Sequence, residues 1–149
     1  MNEPDLQVLV RELRDRGAIT DLICRLGYWL DEKRFDDAEV TASLFTPDVV
    51  VATPGGLSHG QAAAVEQARE HHTEERIQHY LTNVLIELHG DSATVEANMM
   101  VTRVPRADAP HENSQAGTRY RFTVVRTAPG WRFSSIRDEL IWRRPLGAG

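Results

Sequence analysis

The chain has 149 residues and a mass of 16.8 kDa, which is the size of one domain. Its content of 41% hydrophobic and 26% charged residues is typical of a globular protein and excludes a disordered chain. The net charge of −5 argues against nucleic-acid binding, and the single cysteine, Cys24, excludes an internal disulfide and a multi-cysteine metal site. The charged N-terminus predicts neither a signal peptide nor a membrane anchor. We therefore expect a soluble, cytoplasmic single domain over residues 1–149, with flexible ends at about 1–4 and 144–149.

The first third of the chain predicts helices. Asn2 or Asp5 is a candidate N-cap, and the apolar residues that follow keep helical spacing at Leu6, Leu9, Val10 and Leu13. Gly17 interrupts this pattern, so the sequence leaves open whether two helices or one kinked helix follow. A second apolar stripe comprises Leu22, Ile23, Leu26, Trp29 and Leu30. A short helix is predicted over 35–45, and Pro47 ends it.

The remaining pattern predicts a sheet. The β-branched run 49–52 predicts a strand that a turn at 54–56 ends, and Gly60 introduces a helix over 61–75. Alternation of side-chain character predicts four long strands, over 78–88, 92–104, 117–127 and 131–142. Turns at 89–91 and 128–130 and a longer loop at 105–116 connect them. Helices followed by a strand meander predict an α+β fold with helices on one face of a mostly antiparallel sheet.

Period-two alternation also predicts which side chains share a face. One face of the strand 78–88 combines His79 and Asn83 with Leu81, Leu85 and Glu87, a mixture that is typical of a pocket wall. The opposite face is apolar, with Tyr80, Thr82, Val84, Ile86 and Leu88. On the later strands, pocket-facing and substrate-binding positions are predicted for Met99, Tyr120 and Phe122.

Several short motifs resemble one family in their order and spacing. They are Arg25 to Asp31 (RLGYWLD), Phe45 to Asp48 (FTPD), Gly60 before a helix, His79 to Asn83 (HYLTN), Gly90 to Ala93 (GDSA) and Gly130 to Phe133 (GWRF). Together they resemble the SnoaL-like branch of the nuclear-transport-factor-2-like superfamily, over nearly the whole chain. That resemblance implies a cone-shaped barrel of a curved, mixed, mostly antiparallel sheet around N-terminal helices. Relatives include polyketide cyclases of antibiotic biosynthesis, scytalone dehydratase and a dehydrochlorinase.

The resemblance also implies a site. In the dehydratase and the dehydrochlorinase an aspartate pairs with a histidine, and the matching positions here are Asp31 and His79. Tyr28 lies where related pockets often place a tyrosine and, like Tyr120, is a candidate donor to an oxyanion. Scytalone dehydratase has a second pocket histidine on the next strand, whereas 92–104 contains none. Because this second histidine is missing, two possibilities stay open: a mechanism with one histidine, or binding without catalysis.

The chemistry of such a pair follows from the side chains themselves. Histidine titrates near neutrality, and a carboxylate holds it in one tautomer and makes it a better base. A pocket with this dyad and no cofactor or metal suits elimination, isomerisation or aldol-type ring closure on a hydrophobic oxygenated substrate, polyketide-like or aromatic. Apolar strand faces outside the pocket predict a homo-oligomer, either a dimer or a trimer.

Ordinary structural roles compete with each of these interpretations. His79 is equally consistent with a core histidine, Asp31 with a solvated helix end, and the Arg137-Asp138 pair with a surface ion pair. His71, His72 and Glu75 have metal-ligand spacing, but the same segment is typical of a solvated helix end, and we predict no metal. The alternative function is a non-catalytic small-molecule-binding or dimerisation domain.

Overall fold

The computed structural model describes residues 2–147, in which three helices and six strands form the fold. The helices are α1 (Glu3–Asp31), α2 (Ala38–Leu44) and α3 (Gln61–His71). The strands are β1 (Phe45–Thr53), β2 (Gly56–His59), β3 (Arg76–His89), β4 (Ser92–Val104), β5 (Ser114–Thr127) and β6 (Gly130–Arg144). Of the predicted flexible ends, residues 1, 148 and 149 lie outside the described part. No helix within 2–147 is long and apolar enough to cross a membrane.

The strands form one mixed sheet in the order β2-β1-β6-β5-β4-β3. Every neighbouring pair is antiparallel except β1 and β6, which run parallel. The sheet has two free edges, at β2 and β3, so it does not close into a complete barrel. The predicted α+β fold with helices packed against a mostly antiparallel sheet is confirmed.

The first helix is continuous, which settles the question that Gly17 left open. Asn2 caps it, because the Asn2 side-chain oxygen accepts a hydrogen bond from the Asp5 backbone N–H at 2.9 Å. Gly17 lies inside α1 with open space around it, and one glycine costs a helix only about 1 kcal/mol. The second half of α1 packs its apolar stripe into the core, through Ile19, Leu22, Ile23, Leu26, Trp29 and Leu30.

Three predicted boundaries are wrong between residues 35 and 75. The short helix begins at Ala38 because the Asp37 carboxylate caps it, accepting from the Val40 N–H at 3.0 Å. Pro47 lies within β1 instead of ending a helix. The register with β6 shifts between Phe45 and Val50, so the strand tolerates a residue that has no backbone N–H to donate. The helix α3 ends at His71.

The first hairpin was also missed in the sequence, because the predicted turn at 54–56 was not followed by a predicted strand. In the structure β2 pairs antiparallel with β1, from Val50 opposite His59 to Thr53 opposite Gly56. Only four residues form β2, which is too short for alternation to show.

The predicted alternation in β3 fails at a bulge. Asn83 has a positive φ of 54°, and the register with β4 shifts between Thr82 and Leu85. One extra residue in a strand reverses which side chains face the core in the part of the strand beyond it. Val84, Ile86 and Leu88 therefore pack against the core, whereas Leu85, predicted on the pocket face, is 68% exposed.

Helix α1 covers the free edge of β3. The Arg16 guanidinium donates to the Ile86 carbonyl at 2.9 Å near one end of this edge. At the other end the Asp31 carboxylate accepts from the His79 backbone N–H at 3.0 and 3.2 Å. Edge strands present unpaired backbone groups, so these contacts satisfy groups that a further strand would otherwise take. The helix end that bears Asp31 is fixed on the strand that bears His79.

A half-buried ion pair fixes the middle of α1 to the end of the sheet where β5 turns into β6. Both oxygens of Asp15 accept from Arg126 at 2.7 Å, and Oδ1 also accepts from the Trp131 indole N–H at 3.1 Å. The Arg126 guanidinium lies 4.6 Å from the Trp131 ring centroid, a cation–π geometry. The hydrogen bonds from Arg126 hold the pKa of Asp15 below its usual range.

We expect Asp15→Asn to lower the free energy of unfolding by about 2 kcal/mol at pH 7, because it removes a charge-assisted bidentate contact. The native-state pKa of Asp15 is lowered, so its contribution is present at neutral pH and is lost as the pH falls below about 4. Urea unfolding at pH 7 and at pH 3.5 measures both effects. Asp108→Asn, which alters the exposed pair with Arg106, is the control and should leave stability unchanged.

Candidate functional site

Asp31 and His79 are in direct contact. Nδ1 of His79 lies 2.6 Å from Oδ1 of Asp31, and the His79 side chain is only 3% exposed. A carboxylate accepts, so we assign the ring proton to Nδ1, which leaves Nε2 with a free lone pair. The same carboxylate also accepts from the His79 backbone N–H, so both the position and the tautomer of the ring are fixed.

A second imidazole packs against the first. The rings of His72 and His79 are 5.3 Å apart between centroids, tilted by 40°. Nδ1 of His72 lies 2.6 Å from the Ala68 carbonyl oxygen, to which it donates, so its Nε2 is also an acceptor. Burial, together with a smaller effect of the neighbouring His79, lowers the pKa of His72 to about 4. His72 is therefore neutral at physiological pH.

One cleft with two compartments lies between the helices and the concave side of the sheet. The inner compartment has a volume of about 80 Å³ and is mostly apolar, with Trp29, Leu30, Phe45 and Ile136 in its wall. The outer compartment has about 320 Å³ and is lined by Met99, Val101, Arg103, Asp138 and Arg143 among others. Thr53, His71, His72 and Tyr120 line both, so the two compartments adjoin. The His79 side chain lies behind this wall, and its cross-strand partner Val101 lies in it.

Tyr120 and Asp138 form a polar pair inside the cleft. They are cross-strand partners on β5 and β6, and both line the outer compartment. Oδ1 of Asp138 is buried without a hydrogen-bond partner. Burial raises the pKa of Asp138 to about 6, although the Tyr120 hydroxyl partly opposes the rise. Burial and the adjacent carboxylate raise the pKa of Tyr120, which stays a hydroxyl donor.

The other residues predicted to bind substrate have different fates. Met99 is buried and lines the outer compartment, as Tyr120 does. Phe122 is buried in the core between the rings of Tyr120 and Phe133, with centroid distances of 5.3 and 5.1 Å, and is not in the wall of the cleft. Tyr28 is 65% exposed because its helix face points away from the sheet.

Asn83 also lies outside the cleft. The bulge in β3 places it on the exposed side, where its amide oxygen accepts from the Asn98 side chain at 3.4 Å. Tyr28, Asn83 and Phe122 thus all lie outside the wall of the cleft.

Sequence reasoning missed two groups of this cleft. Asp138 was considered a surface ion-pair residue, but period two from the core residue Ile136 would have placed it on the inner face. His72 was considered only together with His71 and Glu75 as metal ligands. In the structure His71 and His72 each bond a backbone carbonyl, and Glu75 accepts from the Ala107 N–H. Residues 2–147 contain no cluster of three metal-ligating side chains.

Comparison with known proteins now adds to this geometry. The SnoaL-like domain family matches residues 11–137 of the chain. The chain belongs to that family. No curated protein matches the sequence of this SnoaL-like protein significantly.

Solved structures show the same fold at low sequence identity. An NTF2-like protein with a cystatin-like fold from Novosphingobium aromaticivorans is 24% identical, with a TM-score of 0.76 over 94% of this chain and 90% of that one. The hexachlorocyclohexane dehydrochlorinase LinA-type3 from Novosphingobium barchaimii is 19% identical, with a TM-score of 0.78 over 94% and 95%. A protein from Kribbella flavida, Kfla4162, is 19% identical, with a TM-score of 0.79 over 89% and 95%.

The raised pKa of Asp138 predicts a pH dependence of stability. Its folded value of about 6 exceeds the unfolded value of about 3.9, so the folded protein binds the proton more tightly. We expect the free energy of unfolding of the wild type, measured relative to Asp138→Asn, to fall as the pH rises from about 4 to about 6 and then to level off. Parallel urea titrations of the two proteins at half-unit pH intervals measure this. A flat difference would contradict a buried Asp138.

Proposed function

We propose that this SnoaL-like protein is a small cofactor-independent enzyme that uses His79 and Asp31 for acid–base chemistry. The observation that carries the proposal is the 2.6 Å contact between His79 Nδ1 and the Asp31 carboxylate, directly behind the His72 ring that lines an apolar cleft. The family and the similar dehydrochlorinase fold support a small enzyme. Proton abstraction from carbon would lead to cyclisation, dehydration or isomerisation of a hydrophobic oxygenated substrate, polyketide-like or aromatic.

The roles of the side chains follow from their positions. Nε2 of His79 takes a proton from a carbon next to a carbonyl, and the C–H electron pair moves into the enolate. Asp31 stabilises the imidazolium that forms, as a carboxylate does beside a catalytic histidine. The Tyr120 hydroxyl donates to the enolate oxygen, and Asp138 in its protonated form is a second donor. The proton then returns to another atom of the substrate or leaves with a hydroxide as water.

One observation favours a second candidate function, a non-catalytic small-molecule-binding domain. The His79 side chain is 3% exposed, and the His72 ring that packs against it lines the cleft. A ligand in the cleft therefore contacts His72 first. For catalysis the His72 side chain has to turn aside, whereas a binding domain needs no such movement.

Deuterium incorporation distinguishes the two functions. In D₂O an enzyme of the proposed kind abstracts the acidic C–H of a bound ketone reversibly, and return of a solvent deuteron to the same carbon adds one mass unit to the unreacted ketone. We expect the wild type to catalyse exchange into some members of a panel of polyketide-like and aromatic ketones. His79→Gln and Asp31→Asn should slow it at least about a hundredfold, since positioned acid–base groups contribute 10²–10⁴-fold. Mass spectrometry follows the exchange.

The variants keep the comparison specific. Asp31→Asn retains an oxygen that accepts from the His79 backbone N–H, so the fold should be kept. Slower exchange in this variant would therefore result from the missing carboxylate charge. His111 lies in an exposed loop, and His111→Gln should exchange substrate at the wild-type rate. Binding of panel compounds without any exchange, or full activity in His79→Gln, would refute the enzymatic proposal.

We also propose that the protein self-associates through the outer face of its sheet. Tyr80, Ile141 and Trp142 are 40%, 57% and 44% exposed and line one shallow depression with Met100. The Trp142 indole lies directly on Gly117, where a Cβ would come within 1.9 Å of Nε1. This exposed aromatic and aliphatic surface is of the kind that marks interfaces.

We expect the wild type to sediment as a dimer or trimer and Ile141→Glu to sediment as a monomer, because a charge in the patch opposes its burial. Analytical ultracentrifugation at micromolar concentration measures both. Val8→Glu introduces the same charge at an exposed apolar residue of α1 and is the control. A monomeric wild type would rule out this association.

A further inference from the structure

A bulge in β6 turns one arginine toward the mouth of the cleft. Asp138 and Leu140 alternate along the wall of the outer compartment, so period two would next place Trp142 there. The register with β5 shifts at this point, because Leu140 pairs with Thr118 and Trp142 with Gly117. Ile141 is the extra residue, and beyond it Arg143 lines the compartment.

The guanidinium of Arg143 has no acidic partner in the described part of the chain. None of the ion pairs within residues 2–147 includes it. Arg103, the other arginine of the compartment, is held by Glu74 at 3.2 Å and by the His71 carbonyl. Ala116, the cross-strand partner of Arg143, is small and leaves space beside the side chain. A charged donor is thus available at the mouth of a cleft whose inner wall is apolar.

We propose that the substrate of this protein carries a carboxylate, which Arg143 binds at the mouth while the apolar body lies in the outer compartment against Met99 and Val101. The proposal rests on the proposed function only in using the same cleft. Arginine pairs with carboxylates through two parallel N–H donors, which gives both affinity and orientation. The reactive end of the bound molecule then lies toward Tyr120 and the histidines, and its acid end toward solvent.

The charges along β6 are consistent with this orientation. Within β6, the acidic residue that shares the cleft wall with Arg143 is Asp138. The two residues are five positions apart, so their Cα atoms are separated by up to about 17 Å in an extended strand. Asp138 opposes the carboxylate weakly, because the separation is long. Glu74, which faces the mouth from the segment after α3, is already paired with Arg103. Arg143, which has no acidic partner among residues 2–147, can therefore bind the carboxylate of the ligand.

A matched pair of ligands tests the proposal. 2-Naphthylacetate and 2-naphthylacetamide have the same size and differ in charge. Isothermal titration calorimetry of the full chain at low ionic strength should show the acid binding about tenfold more tightly than the amide, a preference that weakens with added NaCl. Arg143→Gln should abolish the preference by weakening acid binding and leaving amide binding unchanged.

The controls separate this proposal from the catalytic one. Arg144 is hydrogen-bonded to Asn113 and does not line the cleft, so Arg144→Gln should keep the preference. His79→Gln should also keep it while losing deuterium exchange, so failure of catalysis leaves this result standing. Equal affinities in the wild type, an unchanged preference in Arg143→Gln, or no binding of either compound would overturn the proposal.

Discussion

The contact between the end of α1 and the free edge of β3 is the constraint on which the site depends. Asp31 accepts from the backbone N–H of His79 and from its ring at once, so one carboxylate completes the strand edge and orients the imidazole. Buried polar groups are costly unless they are paired, and here each group satisfies the other. Because α1 is a single continuous helix fixed by Asp15 at its middle, the position of Asp31 is set by the packing of the whole helix.

The cleft combines groups that differ in what they can do with a proton. Behind the wall the Asp31 carboxylate orients the His79 ring so that Nε2 is an acceptor, whereas in the wall Tyr120 carries a hydroxyl donor and Asp138 a carboxyl group of raised pKa. His72 contributes a neutral ring between the dyad and the open space. Burial disfavours the charged forms of the His72 imidazole, the Tyr120 phenol and the Asp138 carboxyl group. The apolar surroundings of the cleft therefore also shift the pKa values of these three groups.

Two bulges show how small backbone changes decide what faces the ligand. In β3 the extra residue near Asn83 removes that residue and Leu85 from the concave side. In β6 the extra residue Ile141 brings Arg143 to the mouth of the cleft and leaves Trp142 on the outer face. Each bulge changes the pairing by one residue, which exchanges the two faces of the strand beyond it.

The sequence by itself determined the order of the elements other than β2 and the α+β class, because apolar spacing and turn residues act locally, and its motifs indicated the family. Its motifs also singled out Asp31 and His79, which the folded chain brings into contact. Only the tertiary structure decided the faces beyond the bulges, the exposure of Tyr28 and the place of His72. These depend on register and on packing between elements far apart in the chain, and no local pattern of residues encodes where a strand gains one extra residue.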